Sequence, residues 1–362
     1  MAITAGMVKE LRELTGAGMM ECKKALTETD GNMDAAVEFL KKSGAIKAEK
    51  KATRVAAEGI CRVITKDGKT AAVVEVNSET DFVAKNEKFR TFVDAVAEQV
   101  LGSDAADVDA LLAEKWNADA TKTVNDELVG QIAVIGENLK IRRFAKLSGD
   151  VIATYVHGEG RIGVLVAANG VEASDAVKEA LTNVAMQIAA MNPEYISRAD
   201  IAEATLAKMK EITIESALND PATLPKPILN DLIQKALTGN LWSAEDVAAY
   251  EEQKNNKYLF NFLSDAAKAA LVELAMADKE TIVANKIFGG LVEGRVSKQV
   301  NEICLLEQTY VKAEDGKQTV GKYLESVDKA LKIADFVRFA TGEGIEKKEE
   351  NFAEEVAKQM GM

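Results

Sequence analysis

The sequence holds one histidine, His157, among 362 residues. That excludes histidine-based metal sites and most His-dependent catalytic triads. Its three cysteines, Cys22, Cys61 and Cys304, are scattered and odd in number. They form neither a disulfide framework nor a CxxC zinc site, and a reducing cytoplasm fits them best. Proline is limited to four residues and aromatics to 5%, which argues against an all-β fold. Long apolar runs are missing too. The richest, residues 266–277, is interrupted by Lys268 and Glu273 and is too short to span a bilayer. The first residues lack the apolar block of a signal peptide. Positive charge is in deficit, with a net charge of −13, so the whole surface is not built to coat nucleic acid or anionic lipid.

What is present is helix-forming and modular. Hydrophobic residues make up 47%, enough for a sizeable core, and the length suggests two or three modules. Residues 1–43 read as three short helices. Their apolar faces are Val8, Leu11 and Leu14; then Met19, Cys22 and Leu26; then Met33, Ala36, Val37 and Leu40. Turns at 15–18 and 29–32 separate them. Residues 41–54 carry six basic side chains and one acid and read as a solvated linker or helix end. An RNA-contacting arm is the alternative, but no aromatic is interleaved for base stacking.

A repeat follows. "GICRVITKDGKTAAVVEV" (59–76) reads as strand, turn, strand, and then a helix with Phe89, Phe92, Val93, Val96 and Val100 on one face, N-capped by Asn86. The same order recurs in "DVIATYVHGEGRIGVLVAA" and "DAVKEALTNVAMQIAAM", with Val184 and Thr182 in the places of Val93 and Thr91. Two ββα units predict a duplicated α+β core. Residues 105–134 between them read as polar and helical. Residues 198–307 are almost wholly helical in pattern, broken at "NDPATLPKP" (219–227), with a cap signal at Ser243 and Asp246. They predict a long helical hairpin. The end reads as a strand, a Gly turn and a closing helix.

Motif by motif, catalysis finds no support. "GEGRIG" (158–163) fits G-x-G-x-x-G but leads into a strand, whereas a dinucleotide fingerprint must open a helix. "DGKT" (67–70) resembles the end of a P-loop, but Val63 stands where the loop needs a glycine, and Asp67-Gly68 is a hairpin signal. No nucleophile–base set is evident, and no cofactor is called for. The reading is a binding protein. One segment resists it: "NSETDFVAKNEKF" (77–89) sets Asp81 and Phe82 side by side at a strand-to-helix seam. On pattern alone Phe82 is a core residue extending the Phe89 face, and Asp81 is a helix-start acid. Met19 and Met20 then divide between core and surface, and His157 is a solvated turn residue.

"VKELRELTGAGMMECKKAL" (8–26), "ETDFVAKNEKF", "IGENLKIRR" (135–143), "HGEGRIGVLV" and "GEGIEK" (342–347), in this order, closely resemble the bacterial elongation factor Ts family. The resemblance covers about four fifths of the chain; residues 218–285 are longer than in compact members. It implies a guanine-nucleotide exchange factor for elongation factor Tu, in its GDP-bound and nucleotide-free forms, acting in the cytoplasm during translation elongation, and not an enzyme. It implies that Thr80, Asp81, Phe82 and Val83 are pushed into Tu beside its nucleotide site and displace magnesium. Further contacts are implied for Arg12, Met19, Met20 and Lys23 and for Ile135, Gly136 and His157. A Val-Met pair of the family aligns with Val311 and Lys312, a Lys for Met. The competing reading is a helical scaffold or RNA-associated adaptor without exchange activity.

The expected fold is therefore α+β. It comprises an N-terminal three-helix module of the ubiquitin-associated (UBA-like) type with the basic linker (1–55), a core N-subdomain (56–145), a core C-subdomain (146–197 and 305–345), an inserted long helical hairpin able to serve self-association as a homodimer (198–304), and a C-terminal helix module (346–362). Neither membrane nor direct nucleic-acid binding is expected.

Overall fold

The computed structural model describes residues 3–346. The closing helix expected over 346–362 lies, but for Glu346, outside the described residues. The fold mixes helices with small antiparallel sheets, as α+β requires. The chain forms two compact units. One holds the residues up to Asn192 and again from Lys322, and the other is Pro193–Gly321.

The first unit opens with α1 (Ala5–Thr15), α2 (Met19–Glu28) and α3 (Met33–Lys51). Thr4 and Asn32 accept the hydrogen bonds that start α1 and α3, satisfying N–H groups that a helix leaves open. Val8, Leu11, Cys22, Ala25, Leu26 and Ala36 form a small apolar core. Leu14 and Met19, expected on the buried faces, are exposed. Both flank the turn at 16–18, beyond the ends of that core. Of the two readings of 41–54, linker or helix end, the second holds as far as Lys51, which is still in α3, and the irregular link is confined to residues 52–57. Gly44, buried on α3, lets a neighbouring helix approach so closely that an added Cβ would lie 3.4 Å from the Cβ of Ala133.

Next come β1 (Glu58–Lys66) and β2 (Thr70–Ser78), joined at Asp67-Gly68 with φ of 54° and 68°. Two left-handed residues in succession give the turn whose twist matches a hairpin. α4 (Asp81–Ala84) and α5 (Glu87–Gly102) follow, then α6 (Val108–Ala113), a short hairpin of β3 (Lys115–Trp116) and β4 (Asp119–Thr123), and α7 (Val124–Ile135), the helix that carries Ala133. The hairpin is absent from the helical reading of 105–134. β5 (Lys140–Ser148) then pairs antiparallel with β2. The second repeat has β6 (Val151–His157), β7 (Ile162–Asn169) and α8 (Asp175–Met191).

Each repeat gains a third strand that the ββα reading lacked: β5 in the first, and in the second β8 (Lys332–Ala340). Both third strands slip register at matching places, between Glu75 and Val76 and between Ala167 and Ala168. Phe89, Val93, Val96 and Val100 of α5 match Val177, Leu181, Val184 and Ile188 of α8 in buried position. The counterpart of Val93 is thus Leu181, one turn away from Val184.

β2 lies at the centre. Ala72, Val74 and Val76 face α5, while Ala71, Val73 and Leu147 meet Ile152, Leu165 and Ala167 of the second sheet. α8 packs on β6 and β7. Small residues on the inner faces let the sheets approach. A Cβ on Gly163 would stand 3.1 Å from Val73 Cγ2, and one on Gly160 2.9 Å from the Cβ of Ile60. The glycines of "GEGRIG" therefore serve a turn and close packing between the sheets.

The unit Pro193–Gly321 is more than a two-helix hairpin. It contains α9 (Glu203–Asn219), α10 (Lys226–Thr238), α11 (Ala244–Gln253), α12 (Asp265–Ala277), α13 (Lys279–Ala284) and α14 (Lys286–Ile303). These surround a core that includes Leu218, Leu232, Ile233, Leu271 and Phe288. Trp242 is buried there and donates its indole N–H to the Ala267 carbonyl at 3.1 Å, which satisfies its one polar atom. α15 (Val320–Val327) leads on to β8.

Candidate functional site

The seam after β2 is built by Thr80. Its hydroxyl accepts the Val83 N–H and starts α4, a single turn. Ala84 is buried and Val83 half-buried against the first-sheet core, while Phe82 is 81% exposed. The core reading of Phe82 is overturned for a geometric reason. α4 ends at Ala84 and α5 starts afresh from its cap Asn86, so Phe82 does not share the helical register of Phe89. Asp81 beside it is held below the usual carboxylate range by the Lys85 ammonium 2.7 Å away.

A second loop grips this seam. α7 ends at Ile135, and Gly136 caps it in the left-handed conformation. The next residue, Glu137, accepts from the Glu79 and Thr80 N–H groups, each at 3.0 Å, and from the Thr80 hydroxyl at 2.6 Å. Glu79 returns the contact by accepting the Asn138 N–H at 2.6 Å. The Lys51 ammonium donates to the Gly136 carbonyl at 2.5 Å, and the Asn138 amide to the Arg54 carbonyl at 2.8 Å. Residues 80–83 and the pair Ile135 and Gly136 are thereby brought together.

His157 ends β6 and is exposed, with its Nδ1 3.1 Å from the Tyr155 hydroxyl. Arg90 links its turn to the seam, donating from Nε to the Ala84 carbonyl at 3.2 Å and from Nη2 to the Glu159 carbonyl at 3.4 Å. Arg12, Met19, Met20 and Lys23 are all exposed on α1 and α2, and Met19 and Met20 are 59% and 74% so. Neither methionine is core, contrary to the division that pattern suggested. On α2 both stand in the first turn, one turn before Lys23, at spacings of four and three residues. Val311 and Lys312 are exposed residues of the other unit.

Several residues around the seam have no signature in the sequence. Glu79 and Glu137 act across a separation of more than fifty residues and leave no local pattern. Arg90 and Tyr155 likewise carry no signal. Glu75 does carry one: it is the single charge in the run "AAVVEV" and is wholly buried. Burial opposes its ionisation. Hydrogen bonds from the Gly342 N–H, Arg142 and Arg143 outweigh burial and keep the carboxyl below its usual range. A groove of about 810 Å³, lined among others by Leu14, Val37, Leu40, Trp116 and Val134, runs beside α3. Neither Phe82 nor His157 lines it. Burial pushes the Cys61 and Cys304 thiols up to about 11, so neither is a ready nucleophile. Among the described residues no cluster of three or more His, Cys, Asp or Glu is placed to hold a metal ion.

An exposed aromatic and an acid on a firmly anchored turn can enter a partner's cleft. The family model for Elongation factor TS matches residues 79–343. The chain is 43% identical over 365 residues to Elongation factor Ts of Clostridium novyi (strain NT), covering 99% of each chain. It is 41% identical over 362 residues, with the same coverage, to Elongation factor Ts of Halothermothrix orenii (strain H 168 / OCM 544 / DSM 9562).

Proposed function

The chain belongs to the elongation factor Ts family and is a guanine-nucleotide exchange factor for elongation factor Tu, and from that premise we propose which parts of its surface do the work. Residues 80–83 enter the GTPase domain of Tu beside the nucleotide, with Phe82 as the wedge. The observation that carries this is the 81% exposure of Phe82 on a turn whose next two residues are packed inward. A large exposed ring has no role in the monomer's core.

Magnesium neutralises the phosphates of the nucleotide on such a GTPase, so loosening its hold weakens the nucleotide. Phe82 and Asp81 act there, and Ile135, Gly136 and His157 extend the contact around them. Arg12, Met19, Met20 and Lys23 dock the N-terminal helices, a UBA-like module, on the same partner. Linkage makes the factor and the nucleotide weaken each other equally, so a fresh nucleotide expels the factor. The reaction makes and breaks no covalent bond, so the chain needs no catalytic group in the usual sense. No helix of the described residues is long and apolar enough to cross a membrane, and the reading puts the protein in the cytoplasm with Tu. The helical unit Pro193–Gly321 is the part available for self-association.

The test is release of a fluorescent GDP from Tu. Substoichiometric protein is expected to accelerate it. Tight RNA binding with no acceleration would support the adaptor reading in its place.

A further inference from the structure

Two carboxylates clasp the two loops that carry the proposed contacts. Glu137 accepts the backbone N–H groups of Glu79 and Thr80 and the Thr80 hydroxyl, and Glu79 accepts the N–H of Asn138. Each side chain thus bonds the backbone of the loop opposite. Hydrogen bonds to an ionised acceptor are stronger than neutral ones, and three of them converge on Glu137. The Thr80 hydroxyl that donates to Glu137 also accepts the Val83 N–H and so sets the start of the one-turn α4. A helix of one turn has no intrinsic stability to rely on, and its direction is fixed from outside.

We propose that Glu137 is a positioning residue for exchange: it holds the residue 80–83 turn in the orientation that presents Phe82, and couples that turn to Ile135 and Gly136 so that both reach the partner as one rigid surface. The proposal rests on the wedge reading given above. Glu137 is half-buried beneath the turn, while Phe82 is the residue left outermost. The geometry explains why Asp would not serve. Its two oxygens divide three donors between two atoms. Asp is one methylene too short to keep all three, whereas Gln keeps an oxygen for the two N–H groups and can donate its amide to the Thr80 hydroxyl.

The experiment compares Glu137→Asp, Glu137→Gln, Phe82→Ala and the Glu137→Asp/Phe82→Ala double variant in full-length protein, with melting temperature measured for each. Maximal GDP release from Tu and the half-saturating factor concentration are read separately. Glu137→Asp is expected to lower the maximal rate about tenfold, because small misplacements of an acting group are costly. Its half-saturation should move less than about twofold and Glu137→Gln should restore most of the rate. In the Phe82→Ala background Glu137→Asp should cost much less than in the parent, since the larger part of its effect runs through Phe82. Amide hydrogen exchange at Glu79 and Thr80 should speed up in Glu137→Asp while the interior of β2 stays protected. Normal exchange by Glu137→Asp with Phe82→Ala impaired overturns the clasp alone. Losses that multiply in the double variant do the same. Normal exchange by Phe82→Ala overturns the wedge reading, and the clasp with it.

Discussion

Glu75 accepts a hydrogen bond from Arg143 Nε at 2.6 Å, from inside a strand whose residues Ala71 to Ser78 are all buried. Arg142 donates to its other oxygen at 2.9 Å, and so does the Gly342 N–H at 2.8 Å. Arg142 and Arg143 sit on β5, while Gly342 follows β8, so one carboxylate ties the first sheet to the end of the second. β2, the strand that holds it, is also the one that leads into residues 80–83.

The pH dependence of stability follows from this contact. Glu75 titrates below its usual range when folded. A depressed carboxyl stabilises the fold fully above the unfolded value of about 4.3, and that stabilisation is lost as pH falls through the folded value. Removing one partner of a buried ion pair costs about 3–5 kcal/mol. Glu75→Gln should therefore be about 3 kcal/mol less stable than the parent at pH 7 in denaturant titrations. The difference should persist down to about pH 5 and then shrink towards zero. A difference that stays constant down to the lowest pH at which the fold survives would mean that charge is not what Glu75 contributes.

Neighbouring residues give a sharp contrast at the seam. Phe82 is exposed, while Val83 packs partly into the first-sheet core. A core Phe truncated to Ala loses about 3–5 kcal/mol. Phe82→Ala should instead melt almost as the parent does. Its loss should appear in the complex, at about 2 kcal/mol or more for a hot-spot aromatic, as slower GDP release that recovers in part when magnesium is already chelated. Val83→Ala should lower stability by about 1–2 kcal/mol. A large fall in melting temperature for Phe82→Ala would return that ring to the core.

The sequence could be read wherever a residue's role is local. Asp67-Gly68 demands its own turn, Asn86 caps the helix it precedes, and Ser243 does the same for α11. β5 is hard to see in sequence because Lys140, Arg142, Arg143 and Lys146 look like a solvated face, although buried Glu75 is the partner of Arg142 and Arg143. The lysines in the second half of α3 resemble a linker in sequence, although Lys47 pairs with Glu21 and Lys51 reaches Gly136. The exposure of Phe82 depends on a break of two residues between α4 and α5, which an apolar period of seven does not reveal. Contacts such as Glu137 with Thr80 are made in the folded chain alone.

Docking by the N-terminal helices should separate from nucleotide release. Met19 and Met20 are exposed, and their truncation removes nothing from the small core of α1 to α3. Met19→Ala/Met20→Ala should leave the melting curve unchanged and raise the half-saturating concentration for GDP release about tenfold or more, equivalent to about 1.4 kcal/mol of binding. The maximal rate at saturation should stay within about twofold, as expected when binding alone is lost. An unchanged half-saturation with a collapsed maximal rate would assign these residues to release.

The unit Pro193–Gly321 should be dispensable for exchange. It has its own apolar core, and its two ends are already joined. Tyr195 donates its N–H to the Ile303 carbonyl at 3.1 Å, and Leu305 and Leu306 donate to the carbonyls of Tyr195 and Ile196, each at 2.9 Å. The entry and exit of the unit therefore lie side by side. A short Gly/Ser linker in place of residues 197–303 need span only that gap, and closing a short flexible loop costs little. The excision removes α9 to α14 but none of residues 80–83, Ile135, Gly136 or His157. The shortened protein should fold, melt cooperatively and accelerate GDP release from Tu to within about threefold of the parent, a difference of under about 1 kcal/mol. Any self-association of the parent should disappear from its sedimentation profile. If the shortened chain folds but loses nearly all exchange activity, residues 197–303 take part in nucleotide release and the unit is not dispensable.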